Sequence, residues 1–479
     1  MVLQRGEPVK IWGEARPGAS VKVSFGGQNR TAKADGAGKW SMRLAPMKAD
    51  ANPKTMAVYE DGKPAKSIGN VLVGEVWITN GQSNMEFALR GADTGREAAG
   101  RADYPALRVF VQPRAYAAAE IMKDSSPEAK WVVCNPDDAH GFNAVAFFFA
   151  ERLMGELGVP VGITQSSIGS SMMINWLTRE DMRGVEGFEE TLRNFDRAAA
   201  KYDYGKAMDE YRAKLAEWEA EASAAKAEGR RAPNRPGEPQ KLGPWILQTM
   251  PQFLYNGKFA PMQGYTARGF LWYQGEYEAS DREGVFAAKL ARMIESWRKY
   301  WDAPEMPFYF VQLPSFDNGK WPVARFDQAF AAASVPNAEM VVSVDLGDGK
   351  DVHPKDKEPV GVRAANIALY KIYGKKIPYP LGPVAVRAGL SGNRAHVEFE
   401  DGGRGLVARG ELRGFEVLRG GEWIAPVSAR LDGKGRLEMD GGGKIDGVRY
   451  LWKGHTKPDA CLFNRDGLPA APFKFEGLD

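Results

Sequence analysis

Four apolar runs in this chain each end on small polar residues, and together those ends hold the groups that a nucleophilic reaction needs. "VWITNGQSNMEF", residues 76 to 87, closes on Gly81, Gln82, Ser83 and Asn84. "VPVGITQSSIGSS" closes on Ser166, Ser167 and Gly169, "ARGFLWYQGE" on Gln274, Gly275 and Glu276, and "AEMVVSVDLGDGKDVHP" leads to Asp351 and His353. A serine hydroxyl is a weak nucleophile at neutral pH unless a neighbouring base takes its proton. Of the four histidines, His396 alternates within "RAHVEFE", His455 follows "YLWKG" and His140 lies in the polar loop "DDAHGFN". His353 alone follows a sheet-type run and has a carboxylate two residues earlier, placed to hold its Nδ1 hydrogen. A serine at a strand-to-helix turn has backbone N–H groups and a helix dipole beside it, which suit a tetrahedral oxyanion. Gly169 permits a second backbone N–H to approach, and the Gln274 amide offers a third donor. Each signal alone has a plainer reading. Ser83 is placed as a helix N-cap, Gln274 as a buried amide bonding nearby loops, and Asp345, Asp348 and Asp351 as a metal cluster, although their spacing fits no EF-hand loop. The joint placement of the groups favours catalysis by serine.

In an open parallel sheet, ligands bind outside the carboxyl ends of the strands, so the elements must be such a sheet. The runs named above, with "PFYFVQLP", alternate with helically spaced segments such as "AVAFFFAERLMGELG" and "GVFAAKLARMIESWRKYW". That pattern predicts an α/β domain, its parallel sheet covered on both faces, over residues 71–379. Short Gly-punctuated alternations predict antiparallel β modules over 1–70 and 380–479. An Ala-rich charged stretch predicts a helical arm inserted over 195–245, packing its own stripe of Met208, Tyr211, Leu215 and Trp218. The 479 residues are 44% hydrophobic, enough for two or three domains. Lys plus Arg (64) nearly balance Asp plus Glu (61) and no basic stripe alternates with aromatics, so neither nucleic acid nor an anionic membrane is an expected partner. No run of about 18 apolar residues predicts a membrane span, and the opening "MVLQRGEPVKIWG" carries no signal segment. Cys134 and Cys461 lie far apart without metal-ligand spacing and read as buried thiols, with a single disulfide as the alternative.

"GQSNME", "WYQGE" and "DVHP" followed by "GVRAANIAL" resemble the sialate O-acetylesterase family of SGNH-type carbohydrate esterases. The likeness extends to "MVLQRGEPVKIWG", "FLYNGKFAPM" and the terminal "VRYLWKGHTKPDACLFNRDGLPAAPF", leaving out the arm. It implies an SGNH three-layer α/β/α core flanked by β modules, O-acetylated sugar substrates and no cofactor or metal. Carried over by residue, it implies Ser83 as nucleophile, His353 as base, Asp351 as the orienting acid, and Ser83, Gly169 and Gln274 as the oxyanion hole. Gln82, Asn84, Trp176, Glu276 and Arg363 are the expected substrate contacts. Arg268 and Arg363 adjoin the motifs as candidates for a sugar carboxylate, and Trp176, Trp272 and Tyr273 as stacking faces, with core packing the alternative for each. The chain departs from the family in having Gly169-Ser170-Ser171 where Gly-Gly-Thr is usual, and Asn143 where serine is common. In relatives "MVLQR" follows a leader, so the resemblance implies a mature form that is secreted or periplasmic. The competing functions are an acetylesterase acting on plant polysaccharides such as acetyl xylan, and a non-catalytic carbohydrate-binding protein.

Overall fold

A computed structural model describes residues 1–114, 117–244, 249–432 and 435–478. Its central sheet is built from β1 (Lys63–Gly81), β2 (Tyr104–Val111), β3 (Lys130–Cys134), β4 (Val161–Gln165), β5 (Gly269–Tyr273), β6 (Phe308–Val311) and β7 (Ala338–Val341). The spatial order is β7-β6-β5-β1-β4-β2-β3. All neighbours run parallel except the edge pair β2 and β3. That antiparallel edge departs from the all-parallel expectation: among the described residues between β2 and β3 there is no crossover helix, and the chain returns alongside the strand it has just left.

Alternation along the strands sends side chains to two separate cores. Phe270, Trp272, Phe308 and Phe310 face one side, with Phe286, Leu290, Met293 and Trp297 of helix α4 and Trp321 of helix α5. Leu271, Tyr273, Tyr309 and Val311 face the other, with Phe147, Phe148 and Phe149 of helix α1 and Ala364 and Ala368 of helix α6. Here α1 is Ala144–Leu157, α4 is Val285–Tyr300, α5 is Trp321–Ser334 and α6 is Lys357–Lys371; α2 (Glu186–Ala200) and α3 (Tyr204–Ala227) form the arm. The core is therefore the expected α/β/α sandwich. Of the two arm helices, α2 lies against the main core through Phe188, while α3 packs on its own return loop: Trp218 Nε1 donates to the Pro233 carbonyl at 2.9 Å and Tyr211 is buried. Two further β cores lie at the ends of the chain, one around Val21, Val23 and Phe25, the other around Val417, Met439 and Tyr450. β1 joins the first of these to the centre, since its early residues pair antiparallel with Asp50–Glu60 and its last eleven are buried in the main sheet. Cys134 and Cys461 are both buried free thiols. Among the described residues no helix is long and apolar enough to cross a membrane.

Candidate active site

Ser83 opens one helical turn, Ser83–Glu86, directly after β1. The change of direction is possible because Gly81 stands there: a Cβ at that position would lie 2.2 Å from the Tyr273 carbonyl oxygen, so only glycine lets β1 end this close to β5. Gln82, not Ser83, is the N-cap, and it makes no side-chain hydrogen bond to the turn. The capping reading of Ser83 therefore falls away, and the turn's first N–H groups are left for another acceptor.

Two contacts bring Gly169 and the His353 loop to the Ser83 turn, and a third sets His353 within its loop. A Cβ on Gly169 would lie 3.5 Å from Ser83 Cβ. Asn84 Nδ2 donates to the Val352 carbonyl at 2.9 Å, so the residue after Ser83 is bonded to the residue before His353. The His353 backbone N–H donates to Asp351 Oδ1 at 2.8 Å, and the His353 Nδ1 lies 3.6 Å from the same oxygen. That second distance is within ion-pair reach but beyond a hydrogen bond. Burial lowers the His353 pKa below the ordinary histidine value; Asp351 opposes the shift and Lys357 adds to it. Asp348 accepts the amides of Lys350 and Asp351 at 2.8 and 3.0 Å, and these bonds lower its own pKa and stiffen the loop. From behind, the His455 ring occupies the space that a Cβ on Gly349 would need, the closest ring atoms being 2.7 Å away. Thr456 Oγ1 donates to the Val344 carbonyl at 2.7 Å, and Arg325 donates to the Lys453 and Gly454 carbonyls at 2.9 and 2.8 Å. The last β module thus buttresses the His353 loop, which gives His455 its structural place. Of the three aspartates read as a metal cluster, Asp345 is paired with Arg363 and Asp348 is spent on loop amides. Among the described residues no group of three metal-ligating side chains forms.

Beneath Ser83 lies a buried polar hub. Asn84 is fully buried; its Oδ1 accepts from Lys357 Nζ at 2.5 Å and its Nδ2 donates to Glu276 Oε1 at 2.5 Å as well as to Val352. The Lys357 ammonium lies over the faces of Phe87 and Tyr273, 5.0 and 5.3 Å from their centroids. Burial pushes it down to about 7, with Glu276 opposing, and burial raises the Glu276 carboxyl. Above the hub, Glu86 Oε2 accepts the Gly169 N–H at 2.6 Å, and Glu86 Oε1 accepts from Arg114 Nε at 2.8 Å. Lys258 sits in a π-helical turn, Tyr255–Phe259, its Nζ donating to the Pro113 carbonyl at 2.8 Å. Burial pushes it down to about 7, against the pull of Glu86.

The structure corrects several expected substrate contacts. Trp176 is fully buried, edge-on to Trp272, with its Nε1 on Ser171 Oγ at 3.1 Å, so it offers no face to a sugar. Trp272 and Tyr273 are likewise core residues. Arg363 grips Asp345 through both terminal nitrogens at 2.8 and 2.6 Å. Arg268 binds Glu75 and Glu7 at the far end of the sheet. Asn84 and Glu276 spend their polar atoms on each other, Lys357, Gly275 and Val352. Gln82 is 3% exposed, its N–H on the Tyr273 carbonyl at 3.0 Å. Gln274 is buried and gives one amide N–H to Glu278, leaving a single N–H for any oxyanion. The residues that sequence reasoning missed are Glu86, Arg114, Lys258 and Lys357. Two of them carried a signal, a lysine inside "FLYNGKFAPM" and a glutamate inside "GQSNME".

A carbohydrate-esterase model, "Carbohydrate esterase, sialic acid-specific acetylesterase", matches residues 248–367. The chain is 26% identical to the sialate O-acetylesterase of Mus musculus, over 99% of this chain and 92% of that protein. It is 27% identical to the sialate O-acetylesterase of Rattus norvegicus over the same shares of each. A crystal structure of a carbohydrate acetylesterase from Xanthomonas citri is similar at a TM-score of 0.80 and 30% identity, covering 99% of this chain and 97% of that one. The sandwich is that of an SGNH-type carboxylic ester hydrolase. Within that class, the chain belongs to the sialate O-acetylesterase family of carbohydrate esterases, enzymes of carbohydrate O-deacetylation.

Proposed function

We propose that the chain deacetylates O-acetylated sialic acids through an acetyl-enzyme on Ser83. Ser83 Oγ attacks the acetyl carbonyl carbon while His353 takes its proton; the oxyanion is held by the N–H groups of Ser83 and Gly169 and the remaining N–H of Gln274. His353 then protonates the departing sugar oxygen. Water attacks the acetyl-serine with His353 again as base, and acetate leaves as Ser83 regains its proton. Asp351 orients the imidazole and stabilises its charged form. Residues 71–379 carry this chemistry, and the modules 1–70 and 380–479 brace it.

The observation that carries the reading is the hydrogen bond from Asn84 to the Val352 carbonyl, 2.9 Å, which ties the serine turn to the histidine loop across some 270 residues of chain. Two mammalian relatives named as sialate O-acetylesterases, matched over 99% of this chain, support the choice of sugar. Acetate release from O-acetylated sialic acids and from acetylated xylo-oligosaccharides, with wild type and Ser83→Ala side by side, tests both parts. Release from the sialic acids is expected to be faster, and the variant to lose about 10⁴-fold or more in kcat. Turnover retained by Ser83→Ala removes the mechanism, and preference for the xylo-oligosaccharides removes the sialate reading.

A further inference from the structure

The Gly169 N–H, which the reaction above assigns to the oxyanion, is already occupied. Glu86 Oε2 accepts it at 2.6 Å, and a Cβ on Gly169 would lie 2.9 Å from that same oxygen, 3.5 Å from Ser83 Cβ and 3.5 Å from Arg114 Nη2. A carboxylate of the protein's own thus sits where the acyl oxygen of a bound ester, or the product acetate, would be held.

It cannot stay there during catalysis. Two negative oxygens a few ångströms apart repel strongly in a partly dry site, and a donor spent on one is lost to the other. The surroundings provide a place for Glu86 to go. Its other oxygen is held by Arg114 Nε at 2.8 Å, and the Arg114 side chain is 73% exposed, so the pair can swing outward together. Lys258 lies behind, its Nζ donating to the Pro113 carbonyl, with Glu86 acting on its charge.

We propose that Glu86 is a positioning residue that closes the acyl-oxygen site in the free enzyme, cedes the Gly169 N–H to the substrate carbonyl as it moves toward Arg114, and returns to displace acetate after deacylation. No bond is made or broken in this exchange; one hydrogen bond passes from carboxylate to acyl oxygen and back. The inference rests on Gly169 serving as an oxyanion donor in the serine mechanism.

Inhibition by sodium acetate during hydrolysis of p-nitrophenyl acetate tests it, using wild type, Glu86→Gln and Glu86→Asp. Glu86→Gln keeps the shape but weakens the charge-assisted bond to Gly169; Glu86→Asp keeps the charge but is too short to reach it. Both variants are expected to be inhibited by acetate about tenfold more tightly and to show a lower KM, since a charge-assisted hydrogen bond no longer competes. A merely structural Glu86 moves neither constant. Unchanged acetate inhibition in both variants overturns the proposal, and so does a change in Glu86→Gln alone, which would mean that charge matters and occupancy does not. Ser83→Ala in the same assay separates the two readings: its retained activity defeats the mechanism, whereas its inactivity with unmoved Glu86 variants defeats only this inference.

Discussion

The two ends of the central sheet use the same residue types to opposite effect. At the amino end, buried Glu75 accepts from Arg5 Nε at 2.5 Å, Gln4 Nε2 at 2.9 Å, Arg268 Nε at 3.1 Å and the Tyr373 hydroxyl at 2.9 Å. These partners hold its pKa down against the burial that would raise it. At the carboxyl end, polar groups are as deeply buried but unevenly satisfied. Among the described residues Asn80 Nδ2, Gln82 Oε1, Tyr273 OH, Gln274 Oε1 and Gln312 Oε1 have no hydrogen-bond partner, and the Gly169 N–H is held by a carboxylate that can be displaced. A closed network stabilises one arrangement, whereas open donors and acceptors are what a reacting ester needs. The chemistry of a side chain is thus set less by its type than by whether its neighbours complete it.

The contrast can be broken most forcefully from below. Glu75→Ala removes the buried carboxylate shared by Arg5 and Arg268, leaving Arg268 with Glu7, and is expected to cost about 3–5 kcal/mol of stability, read as a lower urea midpoint. The kcat of the folded fraction should be unchanged, because Glu75 lies six residues, roughly 20 Å of strand, from Gly81. A large fall in kcat with stability intact would reverse the assignment of the two ends. Asn84→Ala, at the other end, should lower kcat about 100-fold by loosening the serine turn from the histidine loop. It should also destabilise by about 1–3 kcal/mol, since Lys357 loses its buried acceptor. The His353 shift has a sign that activity can report. A base works in its neutral form, so a pKa depressed by burial keeps the enzyme active to lower pH than an ordinary histidine would, and the acidic limb of kcat/KM should fall below the usual histidine value. The smallest effect expected is at Ser170, where the backbone φ is +64°, a left-handed conformation that glycine adopts without strain. Ser170→Gly should raise stability by up to about 1 kcal/mol and leave kcat within a factor of two.

The placement of the candidate site was legible in the sequence because each element announced itself at the end of a strand: Ser83 after a run buried on both faces, Gly169 and Gln274 after two more, His353 after the last. Strand polarity alone aligns such ends. The pairing of Asp351 with His353 was legible too, being two residues apart in one loop, although the carboxylate turned out to bond the backbone N–H more closely than the ring. Burial and partnership were not legible. Asn84 and Glu276 read as polar residues at a pocket mouth, yet they lie under it, because the Lys357 that holds Asn84 arrives from α6, 273 residues later. Arg268 and Arg363 adjoin motifs in sequence, but one precedes β5 and so faces the sheet's amino end, while the other, on α6, is captured by Asp345. Trp176 looked like a stacking face and is instead a core wall. The family's Gly-Gly-Thr pattern acquires a physical reason only once the φ at Ser170 is known. The antiparallel edge strand β3 escaped notice because its five residues carry no turn motif that would mark it.

In the proposed reaction Ser83 carries the acetyl group between the sugar and water. Rapid acid quench of the wild-type enzyme during turnover of p-nitrophenyl acetate, followed by peptide mass spectrometry, tests it directly, since acid protonates His353, halts deacylation and lets any acetyl-enzyme persist. An acetyl group is expected on the peptide containing Ser83 and is expected to be absent from Ser83→Ala. An adduct that survives Ser83→Ala at another side chain, with turnover intact, would contradict it.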